Sequence, residues 1–180
     1  MQFKIITAHD LNKKQQQQIA ELCFAAFDED PWSQYTFMQA AVHLLGILGG
    51  NIVSHALWTD RVFTINGSFN VKTAYIEYVT TDYKMRGKGF ASQLLRHLVD
   101  TLTSLEYGLA ALQPEDEAFY KKLGWISWWG DLYIKQDTST YLTDDYEIML
   151  YPLSTKLTDR LSHRSEENTI CAEWREGEVW

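Results

Sequence analysis

Two glycines and two cations form a short turn between a strand-like run and an amphipathic helix, at Arg86-Gly87-Lys88-Gly89-Phe90-Ala91. The run ends near Thr81, and the helical pattern continues to about Ser104. The first amides of a helix lack internal acceptors and carry the positive end of its dipole, and glycine lets a ligand approach the backbone closely. The turn therefore predicts a site for a pyrophosphate group.

The spacing of these glycines excludes two well-known phosphate-binding turns. A P-loop requires G-x-x-x-x-G-K followed by Ser or Thr, which this turn lacks. The dinucleotide-binding turn requires a third small residue, here Ser92, and an acid about twenty residues further on, which is missing. An ordinary strand-to-helix turn with a basic surface remains the alternative to a phosphate site.

Glu77 is the one carboxylate in a strand-like run, from Asn70 to Thr81, that is rich in β-branched and aromatic residues. A carboxylate in so apolar a strand is costly unless it is paired or used, so Glu77 is a candidate functional residue. A structural pair with a lysine is the alternative.

The composition indicates one globular domain with a substantial core, since 46% of the 180 residues are hydrophobic and 14% are aromatic. A net charge of −8 argues against nucleic acid as a partner. It would suit a cationic small molecule, but solubility alone also explains an acidic surface, so the charge does not decide between the two. Without a signal-like start or a membrane-length apolar run, we expect a cytoplasmic protein that does not bind membranes. The sequence is compatible with a homodimer.

The cysteines and histidines show no metal-ligand spacing. Cys23 and Cys171 are expected to be free thiols, and His43, His55 and His97 fall on different predicted elements. We therefore predict no metal and structural roles for these histidines.

Hydrophobic periodicity and turn signals predict the elements that must position these groups. Residues 153–168 read as a loop or short helix. The predicted helices are Lys13–Phe27, Tyr35–Leu44, the one after the glycine turn, and Glu115–Leu123. The predicted strands are Phe3–His9, Ile52–Ile65, Asn70–Thr81, Tyr107–Leu112, Ile126–Ile134 and Tyr146–Tyr151, with turns at Gly49-Gly50-Asn51 and Asn66-Gly67. The order of these helices and strands predicts an α/β (α+β) fold.

Arg-x-x-Gly-x-Ala, formed by Arg86, Gly89 and Ala91, resembles the acetyl-CoA signature of the GNAT N-acetyltransferases. The predicted element order is similar to that fold. The resemblance implies a mixed sheet of about six or seven strands, splayed between its fourth and fifth strands and flanked by about four helices. It also implies one domain over residues 1–152, with residues 153–180 as an extension that folds back onto the acceptor site.

The resemblance implies acetyl-CoA as co-substrate and direct transfer in a ternary complex. Glu77 would take the amine proton, through a water. Phe119-Tyr120-Lys121-Lys122-Leu123-Gly124-Trp125 resembles the family's aromatic-Tyr-x-x-x-Gly-aromatic pattern, so Tyr120 would protonate the departing CoA thiolate, although a packed core tyrosine is the alternative. The implied cofactor contacts are the Val79 N–H on the thioester carbonyl, the Thr81 main chain on pantetheine, and the turn residues Arg86, Gly87, Lys88, Gly89, Phe90 and Ala91 on the pyrophosphate.

Ala74-Tyr75-Ile76-Glu77-Tyr78-Val79 and the tail Cys171-Ala172-Glu173-Trp174-Arg175-Glu176-Gly177-Glu178-Val179-Trp180 resemble the aminoglycoside 2′-N-acetyltransferases, which carry Gly-Tyr-Val-Glu and Asp-Trp-Arg-x-Gly-Asp-x-Trp there. Tyr35 replaces an acidic ligand of that family, and the connection from Pro152 to Trp174 is longer by about seven residues. The implied acceptor ligands are Glu77, Asp30, Asp144 with its neighbour Asp145, Glu178, the α-carboxylate of Trp180, and Gln113 if a short deletion is allowed.

Three functions remain open. The first is an aminoglycoside 2′-N-acetyltransferase, and the second is an acetyltransferase of another small amine or a peptide N-terminus. The third is a catalytically silent module that binds CoA or sequesters a drug.

Overall fold

The computed structural model describes residues 1–34, 39–143, 146–162, 167–176 and 180. The strands are β1 (Gln2–Thr7), β2 (Val42–Leu48), β3 (Asn51–Ile65), β4 (Phe69–Thr81), β5 (Leu109–Leu112), β6 (Ile126–Ser127), β7 (Asp131–Gln136), β8 (Ser139–Leu142), β9 (Met149–Pro152) and β10 (Thr169–Glu173). The helices are α1 (Lys13–Phe27), α2 (Pro31–Gln34), α3 (Phe90–Ser104), α4 (Glu117–Lys121) and α5 (Thr155–Ser162). The predicted mixture of helices with a mixed sheet is confirmed, with more strands than predicted.

The chain forms two compact units. The first unit comprises Met1–Thr59 and Ile76–Asp100, and the second comprises Asp60–Tyr75 and Thr101–Trp180. Strands β3 and β4 and helix α3 each contribute residues to both units.

In the first unit, β2 lies between β1 and β3 and is antiparallel to both. Helix α1 begins at Asn12, whose side chain accepts from the Gln15 N–H while the Gln15 side chain accepts from the Asn12 N–H. This capping box satisfies amides that the first helical turn leaves without partners. The helix then packs Ile19 and Cys23, both fully buried, against the strands.

In the second unit, the strand order is β6-β9-β5-β4-β3-β10-β7-β8. Strand β4 pairs in parallel with β5 over Thr73–Tyr75 only, as expected for a fold in which these strands separate. Helix α5 contributes Leu157 and Leu161 to a core that it shares with Phe63 and Ile170.

The predicted helix over Tyr35–Leu44 is wrong at its C-terminal end. Residues 42–44 begin β2, and the stretch 35–38 lies outside the described residues. Apolar residues continue on both faces of β2, so its burial suits a central strand as well as a helix. Pairing on both sides, by β1 and by β3, decides for the strand.

The predicted strand over Ile126–Ile134 is also wrong, because it is two strands in different places. Strand β6 pairs with β9, whereas β7 pairs with β8 and β10. Gly130 lies between them, where a Cβ atom would meet the Asn168 carbonyl oxygen at 1.9 Å. Strands β8 and β10 were not predicted.

Candidate active site

The glycine turn joins the end of β4 to the start of α3, as predicted. Asp82 caps the intervening 3-10 turn by accepting from the Lys84 N–H at 2.9 Å. The Arg86 Nε donates to the Thr81 carbonyl oxygen at 3.4 Å, which closes the loop back onto the strand. These contacts fix the turn against the strand while the residues from Arg86 to Gly89 stay exposed.

Gly87 and Gly89 have φ values of 75° and 78°, in the region that side chains rarely adopt. No heavy atom lies within 4 Å of a Cβ built on Gly87, so the space above the turn is open. Gly89 precedes the first helical residue, Phe90, and its carbonyl accepts from the Gln93 N–H at 3.0 Å. The start of α3 therefore lies next to open space and near the exposed cations Arg86 and Lys88, an arrangement that suits an anion.

Strand β4 is irregular at Tyr78, whose φ is 52°. The Tyr78 phenol donates to Glu29 at 3.2 Å, and the Thr80 hydroxyl donates to the Leu22 carbonyl at 3.4 Å. Glu77 and Val79 flank Tyr78, and both are half-buried. The strand thus changes its backbone direction between the candidate base and the amide expected to face the thioester.

The side chain of Thr81 also bears on this end of β4. Its Oγ1 is buried and has no hydrogen-bond partner among residues 1–34, 39–143, 146–162, 167–176 and 180. A buried hydroxyl without a partner is costly, so a ligand group that bonds to it gains binding free energy.

Two histidines of the first unit meet, although the sequence predicts His43 on a helix and His55 on a strand. His43 and His55 are fully buried, and the His43 Nδ1 lies 2.9 Å from the His55 Nε2. Antiparallel pairing of β2 with β3 brings them together, since Leu45 pairs with His55 and His43 pairs with Leu57. His97 is separate and stacks on Phe3.

Tyr120 lies in the second unit, on the short helix α4 that Asp116 caps. The side chain is 8% exposed, and its ring makes edge contacts with Phe119 and Trp125 at 5.2 and 5.9 Å between centroids. Burial raises the pKa of the phenol, and the nearby carboxylates of Glu115 and Asp116 raise it further. The hydroxyl therefore keeps its proton at neutral pH, as a general acid must.

The predicted acceptor ligands are spread over the chain. Asp30, in the first unit, is exposed and accepts from the Trp32 N–H at 3.0 Å. Gln113, in the second unit, is exposed directly after β5. Trp180, also in the second unit, is 2% exposed; its ring contacts Phe63, and its indole N–H donates to the Thr143 hydroxyl at 3.1 Å. Tyr35, Asp144, Asp145 and Glu178 lie outside the described residues.

The thiols do not suit nucleophilic chemistry. Burial raises the pKa of Cys23 to about 12, with the carboxylates of Asp30 and Glu29 adding to the shift, and burial also raises the pKa of Cys171. No metal-like group of three or more His, Cys, Asp and Glu side chains occurs in the described part of the chain. Across the same residues, the helices are too short or too polar to span a membrane.

The sequence of this chain matches a known protein family. A family model described as an acetyltransferase (GNAT) domain matches residues 4–127, more than half of the chain. No curated protein matches the sequence.

Several solved structures share this fold, and three of them differ in how much of this chain and of their own chain is aligned. The Escherichia coli GNAT family N-acetyltransferase YhbS, in complex with CoA, is 16% identical with a TM-score of 0.63, over 97% of this chain and 89% of that one. A Bacillus cereus IAA acetyltransferase is 16% identical with a TM-score of 0.58, over 84% and 98%.

The third structure is a probable N-acyltransferase from Enterococcus faecalis, 18% identical with a TM-score of 0.58 over 69% of this chain. The present chain spans only 32% of the length of that protein. At these identities the similarities establish the fold.

Proposed function

The chain belongs to the GNAT acetyltransferase family, and from that premise we propose that it transfers the acetyl group of acetyl-CoA to an aminoglycoside, at the 2′-amino group. The glycine turn carries the cofactor half of the proposal. Gly87 and Gly89 have left-handed backbones just before a helix begins, the space around a Cβ at Gly87 is open, and two exposed cations belong to the same turn. A Cβ at Gly87 would occupy the space that a pyrophosphate needs.

The proposed cofactor contacts all belong to the first unit. The amides of the turn, from Arg86 to Ala91, would hold the pyrophosphate, and Arg86 and Lys88 would add charge. Thr81 would bond the pantetheine arm through its main chain. The N–H of Val79 would donate to the thioester carbonyl, where negative charge develops during transfer.

The proposed chemistry needs one base and one acid. Glu77 would accept the proton of the attacking amine through a water, so that the amine lone pair can attack the thioester carbon. As the new N–C bond forms, the C–S bond breaks, and Tyr120 would protonate the CoA thiolate. The raised pKa keeps the Tyr120 phenol protonated at neutral pH, which the acid role requires, but it also makes the phenol a weaker acid, so the role rests on the resemblance of residues 119–125 to the family pattern.

The proposal that the acceptor is an aminoglycoside rests on the tail motif and on the net negative charge of the protein. The segment from Cys171 to Trp180 resembles the end of the 2′-N-acetyltransferases, and the net charge is −8. The proposed acceptor ligands are carboxylates at separated points along the chain, as a substrate with several ammonium groups requires. They are Asp30, Glu77, Asp144, Glu178 and Trp180, with Gln113 as a polar contact and Tyr35 in place of a further acid.

A panel of acceptors tests this class directly. CoA release from acetyl-CoA would be measured with a 2′-amino aminoglycoside, with spermidine and with a peptide that has a free N-terminus. We expect the aminoglycoside to have the highest kcat/KM. Faster turnover of the polyamine or the peptide would replace it with the general amine function, and acetyl-CoA binding without any turnover would support a silent module.

A further inference from the structure

The buried histidines form a hydrogen-bonded chain that ends on the backbone of β4. The His43 Nδ1 lies 2.9 Å from the His55 Nε2, and the His55 Nδ1 lies 3.2 Å from the Tyr78 carbonyl oxygen. Both side chains are 0% exposed. Two rings in the interior, tilted by 33° to each other, thus connect β2 and β3 to the irregular residue of β4.

The direction of each hydrogen bond follows from the groups involved. A carbonyl oxygen only accepts, so the His55 Nδ1 must carry the proton and its Nε2 must be the bare acceptor. The His43 Nδ1 must then donate, which leaves the His43 Nε2 without a proton in the neutral ring. Burial lowers the pKa of His43 to about 4 and, together with the His43 ring, holds the pKa of His55 well below its ordinary value. Both rings are therefore neutral and locked in one tautomer.

The two hydrogen-bonded histidines cannot relay a proton. The His43 Nε2 is buried and finds no hydrogen-bond partner in the part of the molecule that the structure describes. At the other end, the Tyr78 carbonyl cannot pass a proton onward. The histidine pair instead provides a fixed donor: packing holds the His55 Nδ1–H so that it points at the Tyr78 carbonyl oxygen.

Tyr78 needs such a contact because a φ of 52° is unfavourable for a bulky residue. Two other contacts hold its side chain: the phenol donates to Glu29 at 3.2 Å, and the ring lies edge-on to Phe27 with 5.6 Å between centroids. The His55 bond acts on the main chain, at the Tyr78 carbonyl oxygen. It therefore restrains the rotation of the peptide after Tyr78.

That peptide links the histidines to the proposed reaction. The carbonyl of Tyr78 and the N–H of Val79 belong to the same planar trans unit, and so they point in opposite directions. Fixing the carbonyl toward His55 fixes the N–H of Val79 away from it. We propose that His55, oriented by His43, is a positioning residue that aims the Val79 N–H at the thioester carbonyl. This inference rests on the proposed function.

Three variants distinguish the loss of the His55 hydrogen bond from a general loss of stability. His55→Leu removes the donor, and His55→Asn keeps an N–H as many bonds from the backbone as Nδ1. Leu157→Ala opens a cavity in the core of the second unit, far along the chain from the histidines, and serves as the destabilised control. All are compared in the full chain at a temperature where each is folded by circular dichroism.

The kinetic readout is the division between kcat and KM. We expect His55→Leu to lower kcat about tenfold or more, since loss of one oxyanion donor costs about 10²–10³-fold in other enzymes. The KM for acetyl-CoA should stay within about threefold, and His55→Asn should recover most of kcat. Equal losses of kcat in His55→Leu and Leu157→Ala would overturn the positioning role.

A second readout needs no acceptor turnover. The ¹³C shift of the thioester carbonyl in bound, labelled acetyl-CoA reports its polarisation, and we expect it to move toward the free value in His55→Leu and back in His55→Asn. An unchanged shift in His55→Leu would overturn the inference even if acetylation is confirmed. If the ¹³C shift changes in the variants as expected but no acceptor is turned over, only the proposed acceptor is refuted. If the wild-type protein does not bind acetyl-CoA, both the positioning role and the proposed function are overturned.

The tautomers give a third check, independent of any ligand. ¹⁵N spectra of the imidazoles should show two neutral rings protonated at Nδ1. A His55 ring protonated at Nε2 would contradict the hydrogen-bond chain.

Discussion

Glu77 carries the proposed base function, and its removal should separate chemistry from binding. We expect Glu77→Gln to lower kcat by about 10²–10⁴-fold, the usual contribution of a general base, because the amide cannot take the amine proton. The Kd for acetyl-CoA should change less than about twofold. Steady-state kinetics and calorimetry measure the two quantities.

The matched control is Asp100→Asn, which removes an exposed carboxylate in α3. It should leave both quantities unchanged. If Glu77→Gln instead weakens acetyl-CoA binding as much as it slows turnover, Glu77 is a binding or structural residue rather than the base.

Tyr120 should act as an acid over an unusually wide pH range. Because burial and the carboxylates of Glu115 and Asp116 raise the pKa of its phenol, the acid form persists at alkaline pH. We expect Tyr120→Phe to lower kcat by about 10²-fold, and the wild-type kcat profile to show no decline caused by Tyr120 below about pH 10. A decline near pH 8 that disappears in Tyr120→Phe would contradict this reasoning.

Some of these residues could be predicted from the sequence and some could not. Glu77 and the glycine turn stand out because their residue types conflict with an ordinary strand or helix. His43 and His55 do not, because they meet only through the antiparallel pairing of β2 with β3. A prediction of β2 as a strand would have found them, since they lie on either side of the Gly49-Gly50 turn.

The turn before α3 can be tested against a second turn with similar geometry. Gly87 and Gly67 have φ values of 75° and 68°, and neither has a heavy atom within 4 Å of a built Cβ. Substitution by Ala should therefore cost each variant about 1–2 kcal/mol of stability, for the left-handed backbone alone. Only Gly87→Ala should also weaken acetyl-CoA binding.

Denaturant unfolding and calorimetry of both variants give the comparison. Unchanged acetyl-CoA affinity in Gly87→Ala would remove the turn from the cofactor site. Weakened affinity in Gly67→Ala would show that backbone strain alone accounts for the loss.

Element boundaries were predicted best where local signals and tertiary packing agree. Helix α1 matches its prediction from Lys13 to Phe27, because the Asn12 cap and the left-handed Asp28 define its ends locally. The ends of β3 and β4 follow from glycine turns in the same way. Strand β10 could not be predicted, since its place beside β3 and β7 depends on partners more than thirty residues away along the chain.

The stability of the whole molecule should depend on pH through the buried histidines. In the unfolded state the two histidines bind protons with a pKa of about 6.5. In the folded state, burial lowers the pKa of His43 to about 4 and holds that of His55 well below its ordinary value. Stability is therefore lost as pH falls below about 6.5, and we expect the free energy of unfolding to drop by about 2 kcal/mol between pH 7 and pH 5.5. Urea unfolding at these pH values measures it.

Other groups with shifted pKa values act in a different pH range. The pKa values of Asp10 and Glu117 are lowered, chiefly by hydrogen bonds from Thr7 and Lys121, so their contribution is lost only below ordinary values of 3.8 and 4.5. Replacing His43 and His55 by Leu should therefore flatten the dependence between pH 7 and pH 5.5. An equally steep dependence in that double variant would contradict the neutral, buried pair.

Acetyl transfer to a 2′-amine is tested most directly by two acceptors that differ in one group. Kanamycin B carries an amine at the 2′ position and kanamycin A carries a hydroxyl, so CoA release from acetyl-CoA with each isolates that position. We predict turnover with kanamycin B, lowered about 10²–10⁴-fold in Glu77→Gln, and none with kanamycin A. Equal turnover of both compounds, or of neither despite acetyl-CoA binding, would contradict the proposed reaction.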